Sequence, residues 1–124
     1  MQKPASTFDI KIDGELRTIK MSFALFQDIM KVIPSPEKVA DLLIQDFFLR
    51  EYVARRILSG NKRIKDDEEL VDLFDLDLDD DALEDMMLWV TDHILYFFTN
   101  TADRSMKLGV RYQEKMKALT PSNP

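Results

Sequence analysis

The chain has 124 residues, enough for one domain with a modest core and no covalent staples. Hydrophobic residues make up 45% and charged residues 32%, a balance that excludes wholesale disorder, while the lack of cysteine excludes disulfides and thiolate metal sites. A formal net charge of −6 speaks against a general nucleic-acid binder.

In chain order, the opening MQKPASTFDIKIDG has no apolar core of the signal-peptide kind. Phe8, Ile10 and Ile12 alternate with Asp9 and Lys11, the period of a half-buried strand. Asp13-Gly14 suits a turn at positive φ, and a second strand from about Leu16 to Met21 returns from it. A two-residue loop sets Ile12 opposite Glu15; a three-residue loop sets it opposite Leu16. The longer loop is preferred here, because it pairs apolar with apolar. Such a hairpin is marginal alone and must pack on other elements.

Ser22 is placed to cap a short helix over about 23–32, with Phe26, Ile29 and Met30 inward. Ser35 and Pro36 then start a second helix, which the periodicity carries over 36–58 and which Ser59-Gly60 ends. Val39, Leu42, Leu43, Phe47, Val53, Ala54, Ile57 and Leu58 form its broad apolar face. Asp46 and Arg50 fall within that arc at i, i+4, positioned to pair. Phe48 and Tyr52 fall on the other side, also at i, i+4. Either another segment covers them, or they anchor a protein partner.

Charge runs in blocks. Arg50, Arg55, Arg56, Lys62, Arg63 and Lys65 form a basic block, an acidic block spans 66–85, and Arg104, Lys107, Arg111, Lys115 and Lys117 follow. This order permits pairing within one chain and equally between copies; the plain reading is solvated charged faces, since exposed ion pairs contribute only about 0–1 kcal/mol each. Within the acidic block, LFDLDLDDDALEDMM raises the question of calcium. An EF-hand loop needs Gly at position 6 and a bidentate Glu at position 12. Counting from Asp75 those positions hold Asp80 and Met86; counting from Asp77 they hold Ala82 and Leu88. Both frames fail. The acids read better as the cap and first turn of a helix, where they face its positive end. The preceding EELVDLFDLDL reads as a short helix, a strand or a loosely held segment docking its apolar residues on the core.

From about 80 to 119 one stripe persists: Leu83, Met87, Val90, Ile94, Phe97, Phe98, Thr101, Leu108, Tyr112, Met116 and Leu119. It weakens at Thr101 and Ser105, so either one long helix forms or two join near 99–105. The first half also carries Leu88, Trp89, Leu95 and Tyr96 on other faces and reads as central. The second half is amphipathic, with Lys and Arg on its other faces, and is free to project. Met86, Met87, Met106 and Met116 offer adaptable contacts or ordinary core filling. TPSNP, 120–124, reads as a frayed tail. The expected fold is therefore α+β and mainly α: one domain over 1–119, an N-terminal β-hairpin over 7–21, and three to four helices, the last long or broken. The apolar runs MMLWV and ILYFF are interrupted by Asp92 and His93, so no membrane span is expected.

Catalytic constellations are not found. His93 is the sole histidine and sits among large apolar residues, where a satisfied structural role is the default. Neither a Gly-rich phosphate loop nor a nucleophile elbow is present, and three glycines leave little room for one. No catalytic, cofactor-binding or metal-binding residue is assigned, no cofactor is expected, and neither nucleic acid nor a membrane is an expected partner. The candidate protein-binding residues are Phe48, Tyr52, Leu108, Tyr112, Met116 and Leu119.

The hairpin FDIKIDGELRTIKMSF, the helix FALFQDIMKVI, and the order in DDDALEDMMLWVTDHILYFFTNTADR (acidic leader, aromatic-rich helix, then a basic helix) resemble the tail assembly chaperones of long-tailed, siphovirus-type bacteriophages. The likeness spans roughly 7–119 and rests on pattern and order. It implies a non-enzymatic protein of the host cell cytoplasm, absent from the mature virion. It also implies as partners the tape-measure protein and the tail-tube protein, with homo-oligomers open. Two rivals stand beside it: a small acidic adaptor or inhibitor that binds a basic protein through 66–85, and a structural virion component.

Overall fold

The computed structural model describes residues 2–33, 35–60 and 70–119. It is mainly helical, with an N-terminal two-stranded antiparallel hairpin followed by four helices, the last of them long. Strand β1, Thr7–Ile12, turns at Asp13-Gly14 into β2, Glu15–Lys20. Ile10 and Ile12 are buried, and Phe8 packs its ring 5.5 Å from that of Trp89. The hairpin thus has the covered face it needs.

The register departs from the sequence expectation. Ile12 stands opposite Glu15 and Lys11 opposite Leu16, so the loop has two residues. Asp13 lies at φ 52° and Gly14 at φ 81°. Two positive φ angles make the primed turn whose twist matches the strands, and this outweighs apolar pairing at the loop. Leu16 is left 71% exposed on the outer face. Asp13 tolerates its conformation because its side chain is engaged: its Oδ1 accepts the Asp77 N–H at 2.7 Å, while its own N–H donates to the Asp77 carbonyl at 3.1 Å.

Helix α1, Phe23–Val32, is capped by Ser22, whose Oγ accepts the Leu25 N–H at 3.2 Å. Leu25 and Ile29 are its buried residues, with Phe26 and Met30 half-buried. The continuous helix expected over 36–58 is not present. A single 3₁₀ turn at Pro36–Lys38 leads into α2, Val39–Gln45, and α3, Phe47–Leu58, starts afresh. The break is Asp46, whose backbone is extended and whose Oδ1 accepts the Leu49 N–H at 3.0 Å. Asp is a poor interior residue and a strong N-cap, so its side chain replaces the backbone bond there. The expected Asp46–Arg50 pair gives way accordingly: Arg50 reaches Glu84 at 3.3 Å instead. Gly60, at φ 82°, ends α3 in the left-handed conformation expected of it.

Helix α4, Asp80–Leu119, is a single helix of 40 residues, about 60 Å long at 1.5 Å per residue. Its first half packs on β1, α2 and α3. Met86, Val90 and Ile94 there are fully covered, so Met86 is core rather than an adaptable surface contact. They join Ile10, Ile12, Ile29, Val39, Val53 and Ile57 in one cluster. Each such residue contributes about 1.5–3 kcal/mol by leaving water. From Thr101 to Leu119 every residue is exposed, so the second half leaves the body as an arm.

Candidate functional site

The site candidates are surfaces rather than reactive groups. Among the described residues no cluster of three or more His, Cys, Asp or Glu could hold a metal ion. None of their helices is long and apolar enough to cross a membrane. His93 is half-buried; its Nε2 lies 2.7 Å from the Ala5 carbonyl, which also accepts the Trp89 indole N–H at 2.7 Å. It closes the body over the N-terminal segment. Glu37 is held below the usual carboxylate range, chiefly by the Ser35 hydroxyl donating at 2.6 Å, at an exposed turn.

The acidic segment is built into the fold. Arg55 donates to the Val71 and Leu70 carbonyls at 2.9 and 3.4 Å, and Ser59 Oγ accepts the Val71 N–H at 2.9 Å. Leu70 is buried, and Val71, Leu73, Leu76 and Leu78 pack against the core. Of the three readings of EELVDLFDLDL, docking of apolar residues on the core describes the part from Leu70 onward, with one 3₁₀ turn at Leu73–Asp75 capped by Asp72. Residues 61–69, with Lys62, Arg63, Lys65 and the first acids of the block, lie outside the described residues, as do 120–124. Helix α4 opens with Asp80 and Asp81 in its first turn, as the dipole argument expects, and the Asp79 carbonyl accepts the Ala82 N–H.

Between this segment, α3 and the start of α4 lies a cleft of about 340 Å³, lined among others by Phe47, Ala54, Leu73, Phe74, Leu78 and Leu83. Phe47 is 71% exposed and Phe74 93%. A second cleft of about 300 Å³ continues past Arg50 and Met87, between Leu43 and Ile44 on α2 and Leu88 and Thr91 on α4. The Arg50–Glu84 ion pair stands between the two.

Of the residues picked from sequence, Phe48 is 80% exposed and Tyr52 is half-buried. The ring that meets Phe48 edge-on is its neighbour Phe47, at 6.0 Å. Leu108, Tyr112, Met116 and Leu119 are all exposed and lie on one side of the arm, about 30 Å or more along α4 from the cleft. The structure therefore gives two separate surfaces, not one. Sequence reasoning missed Phe47, Ile44, Phe74 and Leu88 as surface residues. The signal for Phe47 was Asp46: an interior Asp directly before Phe47 marks a new helix, which rotates the following residues off the old face. Comparison of the chain with protein-family models, curated proteins and solved structures gives no match.

Proposed function

We propose that this protein is a non-enzymatic tail assembly chaperone of a long-tailed bacteriophage. On this reading it binds the largely helical tape-measure protein and recruits tail-tube subunits in the host cytoplasm. The order of its elements supports this: hairpin, helix, acidic leader, aromatic helix, basic helix. The observation that carries it is the arm, where Leu108, Tyr112, Met116 and Leu119 are exposed on one helix face outside the body. A helix presented in this way suits helix-on-helix packing with a long helical client, and Phe48 and Tyr52 on α3 offer a second point of attachment. Exposed aromatic and aliphatic anchors are what such binding requires, and a reactive site is not.

Co-expression with phage tail proteins, affinity capture and mass identification of the bound chain test the reading. Tape-measure and tail-tube chains should co-purify, and the protein should be missing from purified virions. Its recovery in virions would favour a structural component. Capture instead of an unrelated basic protein, released steeply by salt, would favour an acidic adaptor acting through 66–85.

A further inference from the structure

We propose that the arm and the groove at its root form one track for an acidic amphipathic helix. This rests on the reading of a helical client given above and adds the chemistry of the segment that binds. At the root of the arm, Phe23, Phe26 and Met30 on α1 face Phe97 on α4 across a groove of about 450 Å³. The Phe26 and Phe97 rings stand 4.8 Å apart, and Phe23 and Phe97 are exposed. Exposed aromatics gathered at one groove mark a surface that a partner covers.

Helix α4 carries that apolar surface outward. At 3.6 residues per turn, Thr101, Leu108, Tyr112 and Leu119 fall within about 60° of Phe97, so the groove and the stripe of the arm share one face. This face runs about 33 Å from Phe97 to Leu119. Its border on one side is basic: Arg104, Arg111 and Lys115 fall within about 40° of Phe97, away from the stripe. Between Thr101 and Leu119 the arm carries five basic and two acidic residues. The two acids, Asp103 and Glu114, lie about 100–120° from Phe97, behind the cations. Among the described residues none of the five cations is in an ion pair. At the inner end Lys31 lines the groove, and among the described residues no carboxylate does.

Stripe and charge together select the occupant. A basic helix would be repelled along the whole border, and Lys107, Arg111 and Lys115, spaced i, i+4 and i+8, already repel one another. A polyanion without an apolar face, such as nucleic acid, would meet the cations and leave the stripe uncovered. A flat anionic lipid surface would leave the groove beside Phe97 uncovered, whereas a helix can lie along it. An amphipathic helix with carboxylates beside its apolar seam satisfies groove, stripe and cations at once.

The test titrates full-length protein into two labelled synthetic peptides of about 21 residues and reads fluorescence anisotropy. Both peptides carry leucine at the a and d positions of a heptad; one has Glu and the other Lys at e and g, which keeps each from pairing with itself. The unaltered protein should bind the Glu peptide, more weakly as salt rises. A variant carrying Arg104→Glu, Arg111→Glu and Lys115→Glu should lose the Glu peptide and gain the Lys peptide. Phe23→Ser and Leu108→Ser, both at exposed positions, should each keep the melting temperature and weaken Glu-peptide binding about thirtyfold, the loss expected of an interface hot spot. The proposal is overturned by an unaltered protein that does not bind the Glu peptide, by a charge-reversed variant that binds both peptides as the unaltered chain does, or by a Phe23→Ser variant that binds at full strength. Two other occupants would overturn it too: anionic vesicles that bind when the Glu peptide does not, and a second copy that the peptide must displace before it binds. Loss of the peptide result with tail proteins still captured would strike this inference alone, and failed capture with the peptide result intact would strike the identity of the client alone.

Discussion

Among the described residues Arg56 is the one charged side chain sealed in the body, and its partner offers an unequal experiment. Its Nε and Nη2 donate to Asp28 Oδ2 at 2.8 and 2.7 Å, and its Nη1 donates to the Gly60 carbonyl at 3.1 Å. The Arg56 side chain is 5% exposed; that of Asp28 is 31% exposed, with Lys31 at 3.6 Å. Asp28→Ala leaves a buried guanidinium with a single carbonyl. Removing one partner of a buried pair costs about 3–5 kcal/mol, and water reaching Asp28's side of the site sets the value near 3. Arg56→Met removes the buried charge itself and keeps an apolar stem. The carboxylate left behind keeps water and Lys31, so the cost is about 1 kcal/mol. At about 4–8 °C per kcal/mol for a body of this size, Asp28→Ala lowers Tm by about 12–24 °C and Arg56→Met by about 4–8 °C. The double variant should resemble Arg56→Met rather than the sum. Fluorescence of Trp89, buried in the body, is the probe, because it ignores fraying of the arm. Equal shifts for the two single variants, or a smaller one for Asp28→Ala, would refute the claim that the buried cation is the costly half.

Asp13→Ala should cost about 2 kcal/mol, combining a left-handed conformation that Ala resists with the loss of the Asp77 N–H acceptor, whereas Asp13→Asn should stay within about 0.5 kcal/mol. Thermal melting of both decides whether geometry or charge holds the hairpin tip. Calorimetric titration with calcium should show no site tighter than about millimolar, since neither frame of the acidic stretch supplies the turn glycine and closing Glu. Phe48→Ala should leave stability within about 0.5 kcal/mol yet weaken client capture by about 2 kcal/mol, while Tyr52→Ala, half-buried, should cost stability by about 1–2 kcal/mol. Melting and capture measured side by side separate anchor from support.

What could be read from the sequence followed from strong periodicity. The stripe from Leu83 to Ile94 and the alternation of Phe8, Ile10 and Ile12 each had one face to bury, and both are buried or packed against the core. Two errors came from letting apolar pattern outrank backbone chemistry. At Asp13-Gly14 the turn fixed the register, and at Asp46 a cap interrupted a stripe that seemed continuous. The cleft was not legible for a further reason. It is assembled by Phe47, Phe74 and Leu83 from three separate elements, and no periodicity within one element reports that meeting. Arg56 was likewise hidden: a basic residue beside Ile57 and Leu58 reads as solvated until Asp28, 28 residues earlier, is seen to cover it.

The charge blocks divide their work in a way that bears on both surfaces. The arginines of α3 are largely consumed inside the chain: Arg50 on Glu84, Arg55 on backbone carbonyls, Arg56 on Asp28. Arg55 holds the acidic segment by its backbone, and most of the segment's carboxylates face outward. A segment fixed at its main chain but unneutralised at its side chains keeps its field available, and fixed carboxylates beside an apolar cleft cost a docking cation less reorganisation than mobile ones would. The cations of the arm stand on the far end of the same long helix, away from the carboxylates at its start. Charge separation along α4 is therefore built in. A client that spans arm and cleft, with acidic and basic stretches, is what can neutralise both ends at once. An acidic client would satisfy the arm alone and a basic one the cleft alone. Under the proposed client binding, affinity should therefore weaken as salt rises, and capture measured over a salt series reads that dependence directly; an affinity indifferent to salt would place the binding in the apolar groups alone.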